Sequence, residues 1–550
     1  MRKIITIAVI IAIFNLCGLM LFAQTTKSAS PGLLFRLDKI DIEAFYYGKL
    51  NDSVYYIKFD KVQDKYAEGF FFTLDNNVFA QTHKFKILEK RKTYILTFDE
   101  QSIEIKPDFI FTDKRIIGKY GVNKKFLKLF RNYKWSGFFE FKKLVNDEFI
   151  TYPARYKEEL FDIDILNDVY YGTAKGYWDS YLTENSSYIK IIENGVLSSV
   201  SKKNLDLGMD IYMPANDSLK LRPLIMFIHG GGFYIGDKKT EAMIEWCKYF
   251  ASRGYVCASI NYRLGFKLVG PSVERAGYRA LQDAHAAMRY LVRNHEKYGI
   301  NTNLIFVGGS SAGGVTALNL AFMRNKDRPK TTHKSFFYAD IGDIESSTNE
   351  IKDNFHIAAV INMWGAVHDL EILKNSQTSI ISFHGDADKV VPIDYDYPFQ
   401  DIKGNFSSVI LNKMYGSLLI HIAAKELQLK EELHIFENAG HSLHVDVDEN
   451  FNENFNFISE NVKDFLYTEL IPNECKITSV PPTPFQRAMP YYKTTCDKYR
   501  DIYWSIKGGL IISKKQNMVK VVWFRDDIKH KLTVSGSYMN GARFYDKYEF

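Results

Sequence analysis

The chain has 550 residues, 46% of them hydrophobic and 25% charged, which is ordinary globular chemistry and enough length for two to four domains. With 71 basic against 65 acidic residues the net charge is only +6. It is spread along the chain without a long basic run, which argues against a nucleic-acid partner. Aromatic residues reach 15%, a bias that favours β-rich modules beside any α/β core.

The first elements are Met1-Arg2-Lys3, an apolar run from Ile4 to Phe14, a second from Leu16 to Phe22, and Ala23-Gln24. A positive start, an apolar middle and a small terminal residue form the pattern of a secretory signal, residues 1–23, cut after Ala23. The competing reading is an uncleaved anchor, because Ile4 to Ala23 is about long enough to span a bilayer. Cys17 lies inside the run behind Phe14-Asn15-Leu16, a poor lipid-attachment box. Either way, the remainder of the chain faces an oxidising compartment: secreted, periplasmic or at the cell surface, with envelope association left open.

Residues 30–155 are expected to form a β-rich module. Phe45-Tyr46-Tyr47, Val54 to Phe59, Gly69 to Leu74, Phe85 to Leu88 and Thr93 to Phe98 are aromatic or β-branched, with Asn, Asp, Gly and Lys turns between them. No catalytic constellation is visible there. From about 167 to 470 the texture changes. Leu224 to Ile228, Tyr255 to Ile260, Leu304 to Val307, Ile357 to Met363, Ser379 to Phe383 and Leu433 to Phe436 are short continuous apolar runs, as parallel strands buried on both faces require. A helix with Leu281, Ala284, Met288 and Leu291 on one stripe lies between the second and third. Alternating strands and helices predict a doubly wound, mostly parallel α/β domain. The polar segment 325–356 falls where such folds often carry a lid, though a loop describes it equally well.

A linker is expected over 471–495, around Val480-Pro481-Pro482-Thr483-Pro484. Residues 496–550 read as a small β-sandwich, from the alternation of Val519, Val521 and Trp523 and the turns at Gly508-Gly509 and Asn540-Gly541. Beyond Cys17, the cysteines are Cys247, Cys257, Cys475 and Cys496, whose pairing the sequence leaves open. Cys475 with Cys496 is attractive because both lie in the C-terminal connection, and Cys257 reads as a small core residue. No Cys or His cluster has metal-ligand spacing, so no structural zinc and no other metal site is expected.

The chemistry concentrates in four places. Gly309-Ser310-Ser311-Ala312-Gly313 follows an apolar strand and precedes a helix, the context that pushes a serine out at a sharp turn. Ser311 is central in the pentapeptide and is preferred over Ser310. His229-Gly230-Gly231-Gly232-Phe233 follows another strand. Its glycines, with Ala312, can point backbone N–H groups of Gly231, Gly232 and Ala312 at a developing oxyanion. A serine hydroxyl needs a base, and the base needs a carboxylate to set its tautomer. Asp388, in Asp388-Lys389-Val390-Val391-Pro392, and His441, in Gly440-His441, follow strands in that order, ahead of their rivals Asp386 and His444. His229, His285, His295, His384 and Asp283 are assigned to structure or solvent.

On these residues, together with Ser259-Ile260-Asn261-Tyr262-Arg263-Leu264 and Gln282-Asp283-Ala284, segment 167–468 resembles the α/β-hydrolases of the carboxylesterase and lipase type, especially bacterial feruloyl- and acetyl-ester hydrolases. The resemblance implies a serine hydrolase without a cofactor, acting on small-molecule or polysaccharide-linked carboxylic esters through Ser311, Asp388 and His441. Ser310 stands where that family often has Asp, and the N-terminal β region is not part of the family core. Trp504 to Gly509 and Val519 to Trp523 resemble PKD-like modules of secreted bacterial proteins. Two other functions are weighed. A serine peptidase of prolyl-oligopeptidase type shares the triad order but carries a propeller larger than the N-terminal region allows. A non-catalytic surface-binding protein on a hydrolase scaffold would be expected to have lost a triad member.

Overall fold

The computed structural model describes the strands within 45–143, then 154–176, 204–471 and 475–549, apart from the short segments 268–269, 337, 401–410, 447, 481–489 and 524–529. The signal or anchor expected at 1–23 lies outside the described residues. Among the described residues no helix is long and apolar enough to cross a membrane. The chain divides into two compact units: residues 1–151, 473–536 and 544–550 form one, and 152–472 with 537–543 the other.

In the first unit the antiparallel strands anticipated from the aromatic runs are present, and they close on themselves. Strands 45–50, 53–63, 66–75, 78–90, 93–98, 101–111, 115–121 and 135–143 each pair with the next. The first also pairs with the last, Tyr46 opposite Lys143. The result is an up-and-down eight-stranded barrel, a closure that leaves few open edges. The C-terminal strands belong to the same unit. Strand 518–523 touches the barrel strand 78–90 at Trp523 and Val78, and strands 477–480 and 491–494 extend from it. The expected linker at 471–495 therefore holds two strands, bounded by a disulfide between Cys475 and Cys496. Strands 501–507, 531–537 and 543–549 form a separate small sheet. Cys247 and Cys257 are buried free thiols.

The second unit is built on eight strands: β1 (Ile163–Lys175), β2 (Asn204–Pro214), β3 (Arg222–Ile228), β4 (Val256–Ile260), β5 (Ile300–Ser310), β6 (Ala359–Met363), β7 (Ser379–Gly385) and β8 (Glu431–Phe436). Their order across the sheet is β1-β2-β4-β3-β5-β6-β7-β8. β1 and β2 are antiparallel additions, and β3 to β8 run parallel. Leu224 to Ile228 and Val256 to Ile260 are buried throughout, which explains why they are apolar without alternation. The helices of ten residues or more are α1 (Glu241–Ala251), α2 (Gly270–Arg293), α3 (Ala312–Phe322), α4 (Ser417–Glu426) and α5 (Glu453–Glu469). Leu281, Ala284, Met288 and Leu291 of α2 are buried in the core. The sequence reading missed β1 and β2. Segment 325–356 is loop with two single 3-10 turns, pinned by Arg275 donating to the carbonyls of Thr331 and Ala339 at 2.7 and 2.6 Å.

Candidate active site

The carboxyl ends of β3, β5, β7 and β8 supply the site, as expected where a parallel sheet opens to solvent. Ser311 joins β5 to α3 with φ 56° and ψ −120°, a left-handed backbone that a non-glycine residue adopts only when its surroundings enforce it. They do so by close approach. A Cβ on Gly309 would lie 2.4 Å from the backbone of Gly313, and one on Gly313 would lie 1.9 Å from the carbonyl oxygen of Ile228. Only glycine at both positions lets the turn pack against β3. The N–H of Ser311 donates to the carbonyl of Met363 at 2.9 Å, which fixes the turn.

The three side chains singled out in the sequence lie in one hydrogen-bonded line. Ser311 Oγ donates to His441 Nε2 at 2.8 Å, and His441 Nδ1 donates to Asp388 Oδ2 at 2.7 Å. The other carboxylate oxygen of Asp388 accepts from the N–H groups of Val390 and Val391 at 2.8 and 3.0 Å. Burial opposes ionisation of Asp388, yet hydrogen bonds from His384 and His441 and from the Val391 backbone outweigh it and hold the carboxyl well below its usual range. An ionised acid at this position would stabilise an imidazolium at His441.

The competing residues sit elsewhere. Asp386 is exposed, whereas Asp388 is 5% exposed. His444 stacks on Trp364 with ring centroids 5.2 Å apart, and burial lowers its pKa to about 4. His384 is buried, bonded to Ser417 Oγ at 2.7 Å and to the Val391 carbonyl at 3.0 Å, so it supports the Asp388 loop. His229 is buried at about pKa 4 because of desolvation and stacks on Tyr262 at 4.3 Å.

Segment Ser259–Leu264 has a physical job. Asn261 Oδ1 accepts from the Lys238 N–H at 2.7 Å, and the Tyr262 hydroxyl donates to the carbonyls of His229 and Gly230 at 3.0 and 3.1 Å. Both ends of the glycine loop are thus held. Arg263 pairs with the buried Asp283 at 2.8 Å, and Thr348 also donates to that carboxylate at 2.6 Å. Gly231 and Gly232 adopt φ 93° and 60°, conformations a side chain would resist. Gly232 and Ala312 line one cavity with Ser311. That cavity has a volume of about 1060 Å³ including its open mouth, with walls mostly of apolar side chains. Among the described residues no group of three His, Cys, Asp or Glu is placed to hold a metal.

Residues 209–381 match the BD-FAE family model. The second unit is similar to the α/β-hydrolases of the carboxylesterase type. The chain is 33% identical over 100 residues to gut esterase 1 of Caenorhabditis elegans, covering 18% of each chain. To venom carboxylesterase-6 of Apis mellifera it is 35% identical over 116 residues, 20% of each. It thus spans about a fifth of the length of the curated relatives it matches. Among solved structures, the apo form of Thermogutta terrifontis esterase 2 aligns at 22% identity with a TM-score of 0.34, over 49% of this chain and 92% of that one.

In this second unit the sequence reading overlooked the cavity walls. Phe399, Leu411 and Met414 come from a connection after Pro392 with no periodic pattern, and Val273 and Gly277 come from the helix α2. It also passed over Trp364, whose ring stands edge-on to His441 at 6.4 Å.

Proposed function

We propose that the hydrolase unit cleaves carboxylic esters by a serine mechanism. The observation that carries the reading is the continuous line from Ser311 Oγ through His441 to an ionised Asp388, opening on a cavity whose walls include Gly232 and Ala312. Ser311 Oγ attacks the ester carbonyl carbon while His441 Nε2 takes the hydroxyl proton. The carbonyl oxygen becomes an oxyanion facing the backbone N–H groups of Gly231, Gly232 and Ala312, the last at the N-terminus of α3, where the helix dipole adds to the attraction. Collapse of that intermediate breaks the bond to the alcohol, which leaves with the proton from His441. Water, deprotonated by the same imidazole, then attacks the acyl-Ser311 ester, and as that bond breaks His441 returns the proton to Ser311 Oγ and the acid is released. No cofactor takes part. Of the acetyl and feruloyl esters that the resemblance implies, feruloyl esters of polysaccharide are the proposed substrates, in a protein acting outside the cytoplasm once residues 1–23 are removed. Replacing Ser311 by Ala should abolish hydrolysis of 4-nitrophenyl esters without lowering the melting temperature by more than a few degrees. Retained turnover in that variant would end the proposal.

A further inference from the structure

The cavity beside Ser311 contains a helix-interior glycine with no backbone reason to be one. Gly277 lies within α2 and is not among the glycines with left-handed φ. A Cβ there would meet only the Phe233 ring, at 3.5 Å, an ordinary contact. Gly309 and Gly313, by contrast, would collide with backbone. Glycine weakens a helix interior relative to alanine, so what the residue contributes is space.

That space has a defined place. Val273, Gly277 and Leu281 are four residues apart and form one stripe of α2 facing the cavity, with Gly277 as the notch in it. Ala312, Val315 and Met323 line the cavity from α3 and its C-terminal end. At about 1.5 Å per residue this wall runs roughly 16 Å from the nucleophile. His441 must hand its proton to the departing alcohol, and it is not among the cavity walls, whereas Ser311, Gly232 and Ala312 are. That arrangement favours the acyl side of the scissile bond for this cavity.

We infer that the notch at Gly277 is the acyl pocket of this hydrolase, and that its preferred substrates are esters of extended apolar acids, with an aryl-alkyl group or a chain of about six carbons or more, rather than of acetic acid. An acetyl group would leave most of the cavity filled with water against apolar walls, whereas an extended acyl group displaces that water. The inference rests on the serine-esterase reading of the same site. Gly277 touches no reacting atom; it sets the length of acyl group that fits.

The experiment compares wild type with Gly277→Ala and Gly277→Leu on 4-nitrophenyl acetate and 4-nitrophenyl hexanoate. A parallel measurement follows binding of the product-like 3-phenylpropanoate by calorimetry. Wild type should favour hexanoate, and Gly277→Leu should lower kcat/KM for hexanoate at least tenfold while acetate changes less than about threefold. Gly277→Ala should fall between them with an unchanged or higher melting temperature, which shows that folding is intact. Phenylpropanoate should bind wild type and bind Gly277→Leu at least tenfold more weakly. An unchanged hexanoate-to-acetate ratio in both variants, or equal binding of phenylpropanoate, overturns the pocket while leaving ester hydrolysis standing. If wild type turns over neither ester yet binds phenylpropanoate in a Gly277-dependent way, the pocket holds and the serine-esterase reading fails.

Discussion

Replacing Asp388 by Asn should slow ester hydrolysis far more than the loss of one charge suggests, because the local hydrogen bonds dictate how the amide must sit. Asp388 Oδ1 accepts from two backbone N–H groups, those of Val390 and Val391. In the variant the amide oxygen has to keep those partners, which turns the amide nitrogen toward His441. His441 Nδ1 then becomes an acceptor and its proton moves to Nε2, the atom that must receive the proton from Ser311. The wrong tautomer removes the base without removing the ring. A loss of about 10⁴-fold in kcat is expected for this kind of triad, equivalent to about 5.5 kcal/mol of transition-state stabilisation. The assay is steady-state hydrolysis of 4-nitrophenyl acetate, with Asp386→Asn as the control, since Asp386 is exposed. Asp386→Asn should stay within twofold of wild type. A result within tenfold of wild type for Asp388→Asn, or a collapse in Asp386→Asn, would refute the assignment and the tautomer argument together.

Gly313→Ala should destabilise the second unit by at least about 3 kcal/mol, because the new methyl meets the carbonyl oxygen of Ile228 at 1.9 Å; chemical denaturation measures this, and a loss below about 1 kcal/mol would contradict the close packing of the turn. Asp283→Ala should cost about 3–5 kcal/mol by leaving the buried Arg263 guanidinium without its carboxylate, and a neutral effect on the unfolding midpoint would show that the pair does not hold the loop. His229, His285 and His444 are kept at a pKa of about 4 by burial, against about 6.5 in an unfolded chain. Between those values the unfolded chain binds protons that the folded one refuses, so stability falls as pH falls from about 6.5 to 4. The loss is on the order of 3 kcal/mol per histidine once the pH is below 4. Asp388 does not offset this, since its depressed pKa already makes its contribution fully present above pH 4. Calorimetric melting from pH 7.5 to 4.5 should show a steady decline, and a flat profile would contradict the burial of these rings.

The parallel strands were legible because strands covered on both faces must be continuously apolar. Leu224 to Ile228 and Ser379 to Phe383 carry that pattern, and their positions match β3 and β7. The residues of the hydrogen-bonded line were legible for a different reason: each sits in a short loop directly after such a strand, in the chain order Ser, Asp, His that α/β-hydrolases use. β1 and β2 were missed although Leu205, Leu207, Met209 and Ile211 alternate and are buried, because β1 is mostly exposed and its Asn167-Asp168 reads as a turn. Barrel closure is a pairing of Tyr46 with Lys143, and no local pattern announces a partner nearly a hundred residues away. The strands within 471–495 are four residues each, held by pairing and by the Cys475–Cys496 disulfide rather than by propensity, so prolines nearby masked them. The cavity escaped notice because Phe399, Val273 and Met323 are brought together by the fold alone.

The central claim is that Ser311 is a nucleophile activated by His441. Its most direct test is covalent labelling with an aryl fluorophosphonate followed by peptide mass spectrometry, in wild type and in His441→Ala. Wild type should take up one phosphonyl group, located on Ser311, and His441→Ala should label at least a hundred times more slowly. An adduct on another residue, or equal labelling in the two proteins, would contradict the account.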